Sequence, residues 1–318
     1  MVFSGKAHVG VVAALLLALL SLPAPAQPAT FAVGDIFAST ASGNVEHLNS
    51  SGTLLETLNN GSGGFTTGSA FDTSGNFYLT NFSSNSVSVF AGPGDPHTRT
   101  SFGSGFATPE AIVFAADGHV LVGNVGSLGI REFDASGTFI KTIAPGVRVD
   151  WFDLAANQTT ILFTQEGGQV RTADRTTGAV GANFSNAGGD FALRFLPGGG
   201  ILVANDGNVL RMNASGVITQ TYSITGVSGF FALNLDPDGK TFLTGSFNDS
   251  NLYRFDIETG AMTQTINTGC APQCLFGVSV FGEITEGSPP PSSVPEPATL
   301  LLFGTSLAAA RWRRRRQN

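Results

Sequence analysis

The chain has 318 residues, of which 23 are acidic and 16 basic, for a formal charge of −7, and only 12% are charged in all. Lys6 and five arginines beyond position 310 take six of those basic residues, so the ten that remain leave the body of the chain near −13. Such a body excludes nucleic acid as a partner, because phosphates are held by Lys and Arg. Its many Gly, Ser, Thr and Asn residues suit short strands joined by turns.

The chain opens with Lys6, an apolar run from Val9 to Leu22, and Ala24-Pro25-Ala26 ahead of Gln27. Charge, apolar core and small-residue site in that order predict a secretory signal peptide over residues 1–26. A membrane anchor is the other reading, but the run has 14 residues where about 20 are needed to span hydrocarbon.

Residues 27–286 repeat themselves. Three stretches align, beginning at Glu110, Phe191 and Phe231, and each reads as four short strands. Between the first two strands stands a turn with Gly75, Gly118, Gly199 or Gly239, replaced by Asn157 and Gln158 in one copy. Between the last two strands an Asx residue precedes a Gly: Asn49 and Gly52, Asp134 and Gly137, Asp174 and Gly178, Asn213 and Gly216, Asp256 and Gly260. Asx side chains cap such turns and Gly supplies positive φ, so these are hairpins. The first Gly set is spaced 43 residues from Gly75 to Gly118 and 40 from Gly199 to Gly239. A period near 40 with four strands per unit predicts an all-β propeller.

Full copies begin near Ala70, Glu110, Phe152, Phe191 and Phe231. A lone strand at Phe276 to Val280 is left over at one end. Three more, near Ile36 to Ser39, Val45 to Leu48 and Leu54 to Leu58, are left over at the other. Joined, they make a sixth blade and remove the open sheet edges. A seventh would require strands hidden in Thr30 to Asp35 or Gly92 to Gly105.

The only cysteines, Cys270 and Cys274, lie just before the closing strand. Outside the cytoplasm two nearby cysteines favour a disulfide; as metal ligands they are half a zinc site, and the four histidines follow no ligand spacing. Gly287 to Ser293, GSPPPSS, reads as a semi-rigid spacer. The tail, residues 294–318, then has Val294-Pro295-Glu296-Pro297, an apolar stretch of 13 residues from Ala298 to Ala310, and Arg311, Arg313, Arg314, Arg315 and Arg316. Arginines after an apolar stretch stay on the cytoplasmic side, which predicts a short transmembrane helix with the body outside.

No Gly-x-Ser-x-Gly elbow, phosphate loop or His pair at metal spacing is present. Glu110, Asp150 and Asp190 are spaced 40 and 40, each at the head of an innermost strand, where a propeller has one mouth of its channel. The ends of the second strands, Asn81, Asn124, Gln165, Asn205 and Ser246, belong on the same face. Carboxylates with amide oxygens such as those of Asn124 and Asn205 suit a hard cation, calcium among them; the plainer reading is solvated turn residues in an acidic protein.

The tail resembles the PEP-CTERM sorting signal, with Pro295-Glu296-Pro297, the Leu-rich stretch with Gly304 and the Arg cluster in order. That resemblance implies export through the secretion machinery, an inner-membrane intermediate, cutting by exosortase at the Pro-Glu-Pro motif, and a final place at the cell surface or in the extracellular matrix of a bacterium that makes exopolysaccharide. The stretches GNFYLTNFSSNSVSVF from Gly75 and TPEAIVFAADG from Thr108 are similar to NHL and streptogramin-lyase-like propeller repeats. Two functions follow. One is a non-catalytic module that binds exopolysaccharide or a surface protein. The other is an extracellular metal-dependent propeller enzyme, lactonase-like or lyase-like, since propeller lactonases use a Glu, Asn and Asp set.

Overall fold

The computed structural model describes residues 29–285 and 287, apart from Asp95 and Asn186. Their strands form six four-stranded antiparallel sheets. The first joins β1 (Ile36–Thr40), β2 (Asn44–Leu48) and β3 (Leu54–Asn59) to the last strand of the chain. The second holds β4 (Thr66–Phe71), β5 (Phe77–Asn81), β6 (Ser86–Phe90) and β7 (Arg99–Phe102). The third holds β8 (Pro109–Phe114), β9 (Val120–Asn124), β10 (Gly129–Phe133) and β11 (Phe139–Ile143), and the fourth β12 (Phe152–Leu154), β13 (Thr160–Phe163), β14 (Arg171–Asp174) and β15 (Val180–Asn183). The fifth holds β16 (Asp190–Phe195), β17 (Ile201–Asn205), β18 (Asn208–Met212) and β19 (Ile218–Tyr222). The sixth holds β20 (Phe230–Leu235), β21 (Thr241–Ser246), β22 (Asn251–Asp256) and β23 (Met262–Asn267), and β24 (Leu275–Val280) returns to pair with β1.

The first strands of successive sheets touch in a closed circuit, β24 to β4, β8, β12, β16, β20 and back to β24. That circuit makes a six-bladed propeller with these strands around its axis. The ring is sealed by the split blade that the leftover strands at the two ends predict. A seventh blade is excluded: Gly92 to Gly105 supplies β7, the fourth strand of its own blade, and Thr30 to Asp35 contains no strand.

Burial follows strand position. Every residue of β8 and β9 is buried, whereas the outermost strands β3, β11, β19 and β23 start exposed. Inner strands are covered on both faces by neighbouring blades, so they read as apolar runs and not as alternations. Phe fills the wedge between blades: Phe37, Phe71, Phe77 and Phe90 pack between the first and second, and Phe242 stacks on Phe255 at 5.4 Å beside Tyr222. Each such ring contributes about 1.5–3 kcal/mol by leaving water.

The turns form as their residues dictate. Gly75, Gly118, Gly199 and Gly239 all have positive φ, and in the copy that lacks this Gly, Gln158 takes φ 63° in its place. Oδ1 of Asn49, Asp134 and Asn213 accepts the backbone N–H groups two and four residues on, and Oδ1 of Asp174 and Asp256 accepts that of the residue three on. These are the Asx caps expected between third and fourth strands.

Residues 1–26 and the whole tail from 294, where a signal peptide and a short transmembrane helix are expected, lie outside the described residues. Among the described residues no helix is long and apolar enough to cross a membrane. Cys270 and Cys274 are joined in a disulfide with Cα atoms 5.8 Å apart.

Candidate functional site

Each inner strand begins at one face of the ring and runs to the other, and near its start the ladder slips. The register jumps between Pro109 and Ala111, Phe230 and Ala232, Asp190 and Leu193, and Thr66 and Ser69, and on β1 between Ser39 and Thr40, the partners of Gly277 and Leu275. In the fourth blade Asp150 donates its N–H to Thr164 while Thr164 donates to Trp151. A bulge of this kind bends the strand and re-aims one side chain. Counting four residues back from the last ladder residue of each inner strand places Phe276, Thr67, Glu110, Asp150, Phe191 and Phe231 at equivalent positions around the axis.

Five of these six line a cavity of about 280 Å³ at that face, together with Phe65, Phe82 and Phe247, which flank the strands, and with Arg148, Glu166, Asp206 and Asn248. The rings are continuous. Phe65 stacks on Phe276 at 4.6 Å, Phe276 meets Phe247 at 5.4 Å and Phe231 at 6.3 Å, and Phe231 meets Phe191 at 5.2 Å. Trp151 stands edge-on to Phe231 at 5.8 Å.

Opposite the aromatic wall is an acidic corner. Arg148 Nε donates to both oxygens of Asp150, at 2.8 and 3.0 Å, and its guanidinium also pairs with Glu166. The Glu166 N–H donates to Asp150 Oδ2 at 2.8 Å. Asp150 is almost wholly buried, and Glu110 beside it is 5% exposed. Burial, and then the charge of Asp150, pushes the Glu110 carboxyl well above the usual carboxylate range. The same burial and the neighbouring Asp150 charge favour the neutral carboxyl of Glu110, which hydrogen-bonds Asp150.

The structure thus unites Glu110 and Asp150. Asp190 stands one residue short of the equivalent position, which Phe191 occupies. Its buried carboxyl accepts from Asn205 Nδ2 at 2.9 Å and does not line the cavity; burial raises it to about 6. The ends of the second strands are on the mouth face, because Asn81, Asn124, Asn205 and Ser246 pair with the heads of inner strands. They serve as staples for the loops there. Asn124 accepts from Ala107 N–H and donates to the carbonyls of Val122 and Gly129, and Asn205 donates to Gly188 and Asp190. Gln165 donates to Arg148 O, and Ser246 to Ser228 O. The aromatic wall escaped sequence reading, although Phe191, Phe231 and Phe276 sit at repeat spacing and carried the signal.

A second cluster, Asp117, His119 and Glu132, has its ligand atoms within 4.8 Å of one another. Arg175 already occupies its centre, 2.7 Å from both Asp117 and Glu132, so it is an ion-pair network between two blades.

The PEP-CTERM protein-sorting motif matches residues 293–316. No curated protein matches the chain. Among solved structures, a chain of the nidogen/laminin complex superposes with a TM-score of 0.64 at 14% identity, over 77% of this chain and 97% of that one. Hydrazine synthase of Kuenenia stuttgartiensis aligns with a TM-score of 0.50 at 16% identity, over 60% and 63% of the two chains. Virginiamycin B lyase of Staphylococcus aureus aligns with a TM-score of 0.50 at 15% identity, over 62% and 68%. At such identities the likeness is one of fold. The chain therefore carries a PEP-CTERM sorting motif, which implies export and processing by exosortase, behind a six-bladed β-propeller.

Proposed function

We propose that the mature protein is a surface or matrix component whose propeller is a non-catalytic binding module for exopolysaccharide. The observation that carries this is the mouth itself, where bulges in the inner strands turn a continuous set of Phe rings toward one acidic corner. Aromatic faces take the C–H faces of sugar rings, and carboxyl groups at the rim take their hydroxyls.

The position of the termini supports display of that mouth. β24 ends on the opposite face, the base, where the chain crosses beneath the axis: Glu283 is buried there, and Gly287 O accepts from Gln158 Nε2 at 2.9 Å. Gly287, expected as the first residue of the spacer, is thus fixed against the fourth blade. From Gly287 to Ala298 the chain reaches at most about 40 Å, so a membrane-held precursor is tethered by its base and not by its mouth.

The metal-dependent enzyme is less well supported. Arg148 already pairs with both oxygens of Asp150, the burial of Glu110 disfavours its charged form, and the amides of Asn124 and Asn205 are engaged by the backbone and Asp190. A calcium ion at this corner would have to displace a guanidinium.

Co-sedimentation of the mature domain with polysaccharide from the producing cells tests the reading. Phe65→Ala, at an exposed position, is expected to weaken retention at least tenfold without unfolding the domain. Equal retention of the variant would move binding elsewhere. Processing is tested by changing Pro295, Glu296 and Pro297 to Ala: export persists and uncut chain accumulates in the membrane. An intact Asn318 terminus on the surface protein of the parent would show that the tail is only an anchor.

A further inference from the structure

The mouth has no exit. A Cβ on Gly277 would lie 2.0 Å from Thr67 O, and one on Gly68 would lie 2.3 Å from Glu110 O. Strands β24, β4 and β8 therefore touch backbone to backbone just below the bulges. Deeper along the axis Ser69 Oγ donates to Ser279 Oγ at 2.8 Å, Arg194 Nε donates to Asn234 Oδ1 at 3.2 Å, and Glu283 lies buried beneath them. At about 280 Å³ the bowl is at the small end of ligand pockets, which run from roughly 300 to 1,000 Å³.

The bowl is also two-sided. Phe rings come from the first, second, fifth and sixth blades, while Glu110, Arg148 and Glu166 belong to the third and fourth. Of its charged groups, Arg148 is committed to Asp150 and Glu166, and Asp206 adds a further carboxylate on the rim. A closed, shallow, two-faced bowl accepts something that ends in it and refuses a polymer that must pass through.

Resting on the reading of the mouth as a polysaccharide-binding surface, we propose that it captures the non-reducing terminus or terminal branch of a glycan, one uncharged or amino sugar at a time, and rejects uronic acids. The ring's apolar face lies on Phe276 and Phe231, and its hydroxyls face Glu110 and Glu166. A uronate would bring another negative charge to a rim whose single guanidinium is already paired, and like charges at close range in a partly desolvated site disfavour binding.

Binding to the producing cells' polysaccharide, intact and after partial acid hydrolysis, decides this, with termini counted by methylation analysis. Saturating sites per gram are expected to rise in proportion to termini. In competition, a methyl glycoside of glucose, galactose, mannose or N-acetylglucosamine is expected to displace the polymer, with methyl uronides at least tenfold weaker. Sites per gram that stay constant or fall on hydrolysis, while Phe65→Ala and Phe82→Ala still weaken binding, would overturn capture of ends and leave the mouth as the site. Uronides competing as well as neutral glycosides would overturn the charge selection. Retention unaffected by either Phe variant would overturn the underlying reading as well.

Discussion

Arg148 is the residue on which the acidic corner depends. Removing it leaves Asp150 buried beside Glu110 with the Glu166 N–H as a remaining donor. Breaking a fully buried pair costs about 3–5 kcal/mol, but the Arg148 side chain is 39% exposed, so Arg148→Ala is expected to cost about 2 kcal/mol. Chemical denaturation checks it, and Asp150→Asn in the same chain should recover part of the loss. An additive double variant would show that the two groups are not coupled. Glu110 and Asp150 were legible as a pair because their 40-residue spacing is one blade. Asp190 shares the mouth face but stands one residue short of the cavity-lining position: from Asp150 to its equivalent, Phe191, the spacing is 41. A one-residue slip turns a strand side chain to the other face.

Strands and turns were readable because each is local: an Asx or Gly fixes a hairpin whatever lies beyond it. The bulges were not, since a register slip belongs to two strands together and leaves no composition of its own. What they demand can be seen one residue further on, where Gly68, Ala111, Ala192, Ala232 and Gly277 keep neighbouring inner strands close, with Trp151 the exception. Gly277→Ala, which drives a methyl into the Thr67 carbonyl, is expected to cost about 3 kcal/mol or more. Gly207 has nothing within 4 Å of a Cβ and no positive φ, so Gly207→Ala is expected to be neutral or to add about 0.5 kcal/mol. Thermal denaturation of the two side by side checks the packing. Equal effects would mean that the inner strands do not meet as described.

The ring closes by bringing both ends of the described residues to its base, where Phe281 N–H donates to Asp35 O and His97 Nε2 lies 2.8 Å from Ala29 O. Beneath the axis, burial pushes Glu283 up to about 7, Arg194 notwithstanding, and at the other face Asp190 stands at about 6. Both carboxyls are raised above their unfolded values. They therefore contribute stability below about pH 4 that is lost as pH rises through 6 to 7, with Glu283 worth on the order of 3 kcal/mol. Melting temperatures from pH 4 to 8 should decline less steeply in Glu283→Gln than in the parent; parallel curves would remove Glu283 from the account. Polysaccharide binding at the mouth is the central claim, and hydrogen exchange of the mature domain with and without the producing cells' polysaccharide addresses it directly. Protection is expected at the heads of the inner strands, around Phe65 to Thr67, Glu110 and Ala111, Phe231 and Phe276, with the base turns at Asp134 to Gly137 and Asp256 to Gly260 unchanged. Protection confined to the base turns or the outermost strands would contradict it.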